Sequence, residues 1–101
     1  MLERASEAVL DYCDHEGIAF IPWYPLKYGK IVEERNAIAE IAARHRSTPA
    51  QIALAWLLER ARVMLPIPGT SRVSHLEENV AAAGIRISRE EFDRLASLPA
   101  V

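Results

Sequence analysis

The chain has 101 residues, 50% hydrophobic and 26% charged, a composition typical of one small globular domain and not of a disordered or collagen-like chain. Twelve Lys and Arg against fourteen Asp and Glu lack the basic excess of a nucleic-acid-binding protein. The single cysteine, Cys13, favours a reducing setting. The longest nearly unbroken apolar stretch, residues 52–58, is far shorter than the ~20 residues of a membrane span. We therefore expect a soluble, cytoplasmic chain with neither a membrane nor a nucleic acid as partner.

The first half of the chain predicts two helices around a strand. Apolar residues at three- and four-residue spacing predict an amphipathic helix over about residues 2–15, and Gly17 suits the C′ position that ends it. The apolar run that begins at Ile18 predicts a strand over residues 18–23, buried on both faces. After a loop at 25–31, a second helix is expected over residues 32–45.

The second half opens on the clearest local signal of the sequence. Thr48 suits an N-cap, Pro49 the first helical position and Gln51 the third position of a capping box. The helix they open, about residues 50–61, is apolar nearly all round and must be covered on most sides. Residues 63–67 predict a second buried strand. A helix that ends at Gly84 follows, and then a short last helix that begins with a second capping box at residues 88–91.

This order of elements predicts an α/β fold with two parallel strands and four to five helices, because a strand–helix–strand alternation implies a right-handed crossover between parallel strands. Two strands that are apolar on both faces do not form a stable sheet alone, and the apolar helix at 50–61 also needs cover. The sequence therefore predicts one part of a larger α/β body.

Two segments follow the predicted strands, where parallel α/β folds bind ligands. In residues 23–29, Trp23 can stack on a flat ring and the loop can offer backbone N–H groups. The alternative is that Trp23 and Tyr24 only cover the core.

The second segment, residues 68–74, leads into a helix. Gly69 allows close backbone approach, the hydroxyls of Thr70 and Ser71 can donate hydrogen bonds, and the helix start attracts anions, to which Arg72 adds a guanidinium. The alternative is an ordinary strand-to-helix turn in which Ser71 or Ser74 is the N-cap.

Other kinds of site have weak support in the sequence. The histidines at 15, 45 and 75 lie thirty residues apart, without the spacing of a metal site. Glu78 and Asn79 would by themselves indicate a solvated helix face. The residues alone predict an anion or nucleotide site at the strand ends.

Three motifs in order resemble the C-terminal part of the aldo-keto reductases: IPWYPL at 21–26 followed by Gly29, TPAQIALAW at 48–56, and IPGTS at 67–71 followed by LEEN at 76–79. The resemblance covers about residues 5–98. It implies a partial (β/α)8 TIM barrel, so that residues 1–101 would be the C-terminal fragment of the reductase domain, containing its last two β/α units.

The activity that this resemblance implies is the reduction of aldehydes and ketones to alcohols by an NADPH-dependent oxidoreductase. The family's catalytic Asp, Tyr, Lys and His precede this segment, so no catalytic residue is expected in this chain, and a carbonyl substrate would bind only in the full barrel. The alternative is a non-catalytic partial barrel that self-associates or pairs with a complementary fragment.

The resemblance also assigns cofactor-binding residues. In the first segment it places Trp23 against the nicotinamide ring and the loop of Pro25, Leu26 and Tyr28 at the pyrophosphate.

In the second segment the resemblance places Thr70 and Ser71 at the 2′-phosphate of NADP and Glu78 and Asn79 at the adenine edge. The sequence departs from the NADPH pattern at two positions: Gly69 replaces a Lys and His75 replaces an Arg. Arg72 supplies one positive charge in the same turn, which favours NADP over NAD.

Overall fold

A computed structural model of the chain describes residues 4–22 and 37–97. Within these ranges lie five α-helices, namely α1 (Arg4–Glu16), α2 (Ala37–Arg44), α3 (Pro49–Arg60), α4 (Val73–Ala81) and α5 (Arg89–Ala96), with a 3₁₀ turn at Ala82–Gly84 after α4. None of the described helices is long and apolar enough to cross a membrane. The predicted helix over 32–45 is present at 37–44, and its residues 32–36 lie outside the described ranges.

Helix α1 ends as the sequence predicts. Gly17 has φ +71°, a left-handed conformation that glycine adopts without strain, and the Ile18 amide donates to the Cys13 carbonyl at 2.8 Å. Among residues 7–16 of α1, Leu10 is buried in the core.

Helix α3 is the centre of the core. The predicted capping box is confirmed, since the Gln51 amide donates to Thr48 Oγ1 at 3.2 Å and the Thr48 amide to Gln51 Oε1 at 2.9 Å. Six consecutive residues, 52–57, are buried. Trp56 stacks on Phe92 of α5 with ring centroids 5.4 Å apart, and its indole Nε1 donates to the Phe92 carbonyl at 3.2 Å. These contacts hold α5 against α3.

A buried polar cluster joins α5 to the end of α2. The second capping box is confirmed, with Glu91 Oε1 accepting from the Ser88 amide at 2.8 Å and from His45 Nε2 at 2.9 Å. Burial raises the pKa of Glu91, but the hydrogen bonds from Ser88 and His45 outweigh it and lower this pKa below the ordinary 4.5. Glu91 is therefore a charged capping residue within the core.

The two predicted strands meet at a single parallel bridge between Phe20 and Met64. The Phe20 amide donates to the Val63 carbonyl and the Leu65 amide to the Phe20 carbonyl, each at 2.8 Å. The sequence predicts parallel strands over 18–23 and 63–67. The pairing is parallel, but in the described residues it does not extend beyond this bridge into a ladder. The structure describes no third strand beside either segment, and two strands pair only marginally by themselves.

Candidate cofactor site

The turn before α4 is closed by a threonine hydroxyl. The Arg72 amide donates to Thr70 Oγ1 at 3.1 Å, and the same hydroxyl donates a longer bond to the Arg72 carbonyl at 3.4 Å. Thr70, Ser71 and Arg72 are all exposed. The local hydrogen bonds therefore shape a turn whose polar side chains remain open to a ligand.

The N-cap of α4 is Arg72, in an extended conformation with φ −112° and ψ 133°, and its side chain makes no capping hydrogen bond. The alternative in which Ser71 or Ser74 caps the helix is therefore wrong. Helices α3 and α5 begin with closed capping boxes, whereas α4 presents its first-turn N–H groups without that closure. Such groups, at the positive end of the helix dipole, attract anions.

The start of α4 has open space at Gly69 and one exposed arginine, Arg72. A Cβ added at Gly69 would meet no atom within 4 Å, so the fold itself does not require a glycine there. Arg72 forms no ion pair with any residue in 4–22 or 37–97. Its guanidinium is free within this part of the chain to meet a phosphate.

Glu78 and Asn79 lie farther along α4, about 9 and 10.5 Å from Arg72 along the helix axis at 1.5 Å per residue. Both are half-buried and do not form the fully solvated face that their sequence alone indicates. The Glu78 carbonyl accepts from Gln51 Nε2 at 3.0 Å. Asn79 borders an open cavity of about 340 Å³ that is otherwise apolar, lined by Leu54, Leu58, Pro66, Ile67, Pro68, Leu76 and Val80.

The remaining cofactor residues that the resemblance assigns, Trp23, Pro25, Leu26 and Tyr28, lie outside the described residues. The structure therefore describes only the second predicted segment, residues 68–74, together with Glu78 and Asn79 farther along the helix that this segment leads into. Among the described residues, no group of three His, Cys, Asp or Glu side chains is placed to hold a metal ion.

Sequence reasoning missed one contact at this site. It assigned Gln51 to the capping box alone, but its side-chain amide also reaches Glu78. The available signal was the residue type, because a glutamate closes a capping box equally well and only glutamine keeps a free NH₂ group.

A parallel bridge followed by a helix start without a side-chain cap and with an exposed arginine fits the anion or nucleotide site that the residues predict after the second segment. The chain matches the aldo/keto reductase family over residues 1–100. It is 50% identical over 95 residues to an uncharacterized oxidoreductase of Schizosaccharomyces pombe, covering 94% of this chain and 31% of the relative. It is 44% identical over 92 residues to the pyridoxine 4-dehydrogenase of Escherichia coli, covering 91% of this chain and 32% of that enzyme.

A solved structure extends the similarity to the fold. The crystal structure of a thermostable aldo-keto reductase in complex with the inhibitor epalrestat matches with a TM-score of 0.84 and 35% identity, over 92% of this chain and 34% of that one. Such neighbours are (β/α)8 barrels. The chain belongs to the aldo/keto reductase family and spans about a third of the length of the curated relatives it matches.

Proposed function

We propose that this chain forms the cofactor-binding end of an NADPH-dependent oxidoreductase that reduces aldehydes and ketones to alcohols. Members of the aldo/keto reductase family use nicotinamide cofactors. The observation that carries the proposal is the start of α4, which has no side-chain cap and has Arg72 exposed beside it. Among the three α-helices whose starts the structure describes, α3 and α5 close theirs with capping boxes, and the open start is the one at the predicted phosphate position.

The preference for NADP over NAD follows from three neighbouring side chains. The Thr70 hydroxyl can turn its proton from the long 3.4 Å contact with the Arg72 carbonyl toward a phosphate oxygen. It would still accept from the Arg72 amide in that position. Ser71 offers a second hydroxyl, and Arg72 supplies the positive charge. A 2′-phosphate would meet all three groups, whereas the 2′-hydroxyl of NAD offers no charge to the guanidinium.

The other end of the cofactor is assigned by the resemblance. Trp23 would stack on the nicotinamide ring, and the backbone of Pro25, Leu26 and Tyr28 would hold the pyrophosphate. The bound nicotinamide supplies the hydride for carbonyl reduction. Because the family's catalytic Asp, Tyr, Lys and His fall outside this segment, the chain would bind and orient the cofactor while the general acid comes from the rest of the barrel.

The test is a calorimetric titration of the chain with NADPH and with NADH. A charge-assisted phosphate contact contributes roughly 1.5–3 kcal/mol, so Arg72→Ala should weaken NADPH binding about ten-fold or more and leave NADH binding nearly unchanged. Arg62→Ala is the matched control, because Arg62 is an exposed arginine in the turn that precedes the second bridge segment, before Met64. Equal loss of both nucleotides in Arg72→Ala, or equal NADPH loss in the two variants, would remove Arg72 from the site.

Turnover provides a second test of the proposal that this chain binds the cofactor while the rest of the barrel supplies the general acid. The purified chain should not oxidise NADPH with a panel of aldehydes and ketones, whereas the same assay should succeed with a full-length relative. Turnover by the chain alone would mean that a general acid lies within its 101 residues.

A second candidate function is a partial barrel that self-associates or pairs with a complementary fragment. Large apolar side chains remain exposed on α1, in the segments that flank the parallel bridge, at Leu58 of α3 and along α4, namely Val9, Tyr12, Ile18, Ile21, Leu58, Leu65, Ile67, Val73, Leu76 and Val80. So much exposed apolar surface is typical of an interface. Sedimentation should find oligomers that dissociate on dilution, and Ile67→Lys should shift them toward monomer. A compact monomer with a cooperative thermal transition would rule out self-association.

A further inference from the structure

The side chain of Gln51 makes two different hydrogen bonds from its two ends. Its Oε1 accepts from the Thr48 amide at 2.9 Å, which closes the start of α3. Its Nε2 donates to the Glu78 carbonyl in α4 at 3.0 Å, across 27 residues of sequence. One planar amide therefore links the capping box of α3 to the turn of α4 that carries Glu78 and Asn79.

This link matters because α4 is held by few buried groups. None of its own residues is buried in the core, although Ala82 directly after it is. The Glu78 carbonyl already accepts from the Ala82 amide within the helix, and Gln51 uses its second lone pair. The bond is directional and starts from a side chain that the capping box holds in place. It therefore sets how α4 lies against α3 at this turn.

The second capping box shows what is specific to Gln51. At the start of α5 the equivalent position is Glu91, and it closes the box in the same way. A glutamate at position 51 would keep the bond from the Thr48 amide but would have no hydrogen to give to Glu78. The hydrogen bond that the glutamine donates to Glu78 is therefore not required for capping.

We propose that Gln51 is a positioning residue for the nucleotide: it fixes the Glu78–Asn79 turn of α4 so that these residues meet the adenine end of the cofactor. The inference rests on the proposed function, since it needs a dinucleotide at α4. Gln51 itself would not touch the ligand, and its effect would pass through the Glu78 carbonyl.

Two single variants separate positioning from capping. Gln51→Glu keeps the capping box and removes the donor to Glu78. Thr48→Ala removes the hydroxyl that caps α3 and leaves the Gln51 to Glu78 bond possible. Each is titrated with NADPH and with adenosine 2′,5′-bisphosphate, which carries only the adenine end. Thermal unfolding and the hydrogen exchange of the amides at 76–82 are measured alongside.

Gln51→Glu should weaken both ligands roughly two- to ten-fold, the range for one net hydrogen bond, and should lower thermal stability less than Thr48→Ala does. Its α4 amides at 76–82 should exchange faster than in the unchanged chain. Thr48→Ala should show the opposite pattern, with lower thermal stability and unchanged affinity. Unchanged affinity in Gln51→Glu, or equal weakening in both variants, would overturn the positioning role. If the unchanged chain binds neither ligand, the proposed function itself fails, and this inference with it.

Discussion

Helices α3 and α4 follow each other in the chain and differ in how far their residues are buried. Six consecutive residues of α3 are buried, whereas α4 buries none. The apolar residues of α4 are nevertheless large, and Val73 is 72% exposed and Leu76 is 54% exposed. Both helices carry apolar residues that would be stabilised by burial, but among the described residues only those of α3 are buried. An apolar pattern therefore states that a helix needs cover and does not state what supplies it.

The same two helices differ in how they begin. The start of α3 is closed by Thr48 and Gln51, so its polar groups serve the fold. The start of α4 is left open beside Arg72, so its polar groups are available to a ligand. The chain spans about a third of its relatives, and within it α4 contacts α3 but buries none of its own residues. Stability is concentrated around α3, and the candidate site lies in the less covered part.

The prediction with the largest expected effect replaces one leucine in each of the two helices by alanine. Leu57 in α3 is 2% exposed and Leu76 in α4 is 54% exposed. Leu57→Ala should lower the free energy of unfolding by about 2–5 kcal/mol, because it leaves a cavity in the core. Leu76→Ala, the matched control, should change it by about 0.5 kcal/mol or less. Denaturant unfolding measures both, and similar losses in the two variants would mean that α4 is as well packed as α3.

The sequence predicted the local features well. Both capping boxes, the glycine at the end of α1 and the approximate extents of the helices depend on residues a few positions apart. The prediction for the apolar helix was only partly right. The sequence predicted that this helix needs cover from a larger body. Residues 52–57 are already buried within the chain, whereas Leu58, the next residue, remains exposed. Helices α2 and α5, which the sequence also predicted, supply that cover.

The features that depend on distant residues were harder to predict. Two strands pair only marginally without further strands or a covering helix, and in the described residues their pairing is one parallel bridge, at Phe20 and Met64. The sequence predicted a helix after the second segment but offered Ser71 or Ser74 as its N-cap, whereas the fold has Arg72 there without a side-chain cap. The contact from Gln51 to Glu78 joins two helices whose relative position no local pattern encodes.

A second prediction concerns the buried carboxylate that helps to hold the core around α3. Glu91 is 7% exposed and accepts hydrogen bonds from Ser88 and His45, so Glu91→Ala should cost about 1.5–3 kcal/mol at neutral pH. Because these bonds lower the pKa of Glu91, its contribution is complete above the ordinary value of 4.5 and is lost as the pH falls through the lowered pKa.

The measurement is denaturant unfolding at several pH values between 3 and 7 (roughly the range in which carboxylates titrate). Glu91→Gln keeps the shape of the side chain and cannot titrate, so its stability should vary less with pH than that of the unchanged chain. The same acid slope in both would show that other carboxyl groups cause it.

A third prediction sharpens the contrast between closed and open helix starts. Arg72 has the extended backbone of an N-cap but no capping side chain, and a serine there could accept from the first-turn amides. Arg72→Ser should stabilise α4 by about 1 kcal/mol while weakening NADPH binding. Hydrogen exchange of the α4 amides measures the gain, with Arg72→Ala as the control that loses the charge without adding a cap. Equal exchange in the two variants would mean that the start is already satisfied by other groups.

The smallest expected effect lies at the edge of the well-covered region, where α1 meets α3 through an ion pair. Arg60 Nη2 lies 2.9 Å from Asp11 Oδ1 and 3.9 Å from Glu7 Oε1. The Asp11 side chain is 66% exposed, so solvent screens the pair and Asp11→Ala should cost only about 0.2–1 kcal/mol. Glu7 remains within reach of the same guanidinium, which places the cost at the low end.

The control for the change in charge is Asp14→Ala, because Asp14 is an exposed aspartate on the same helix. Denaturant unfolding at low salt should distinguish the two variants, and about 1 M salt should abolish the difference by screening. A loss above that range, or one that persists in high salt, would mean that α1 belongs to the same cooperative core as α3.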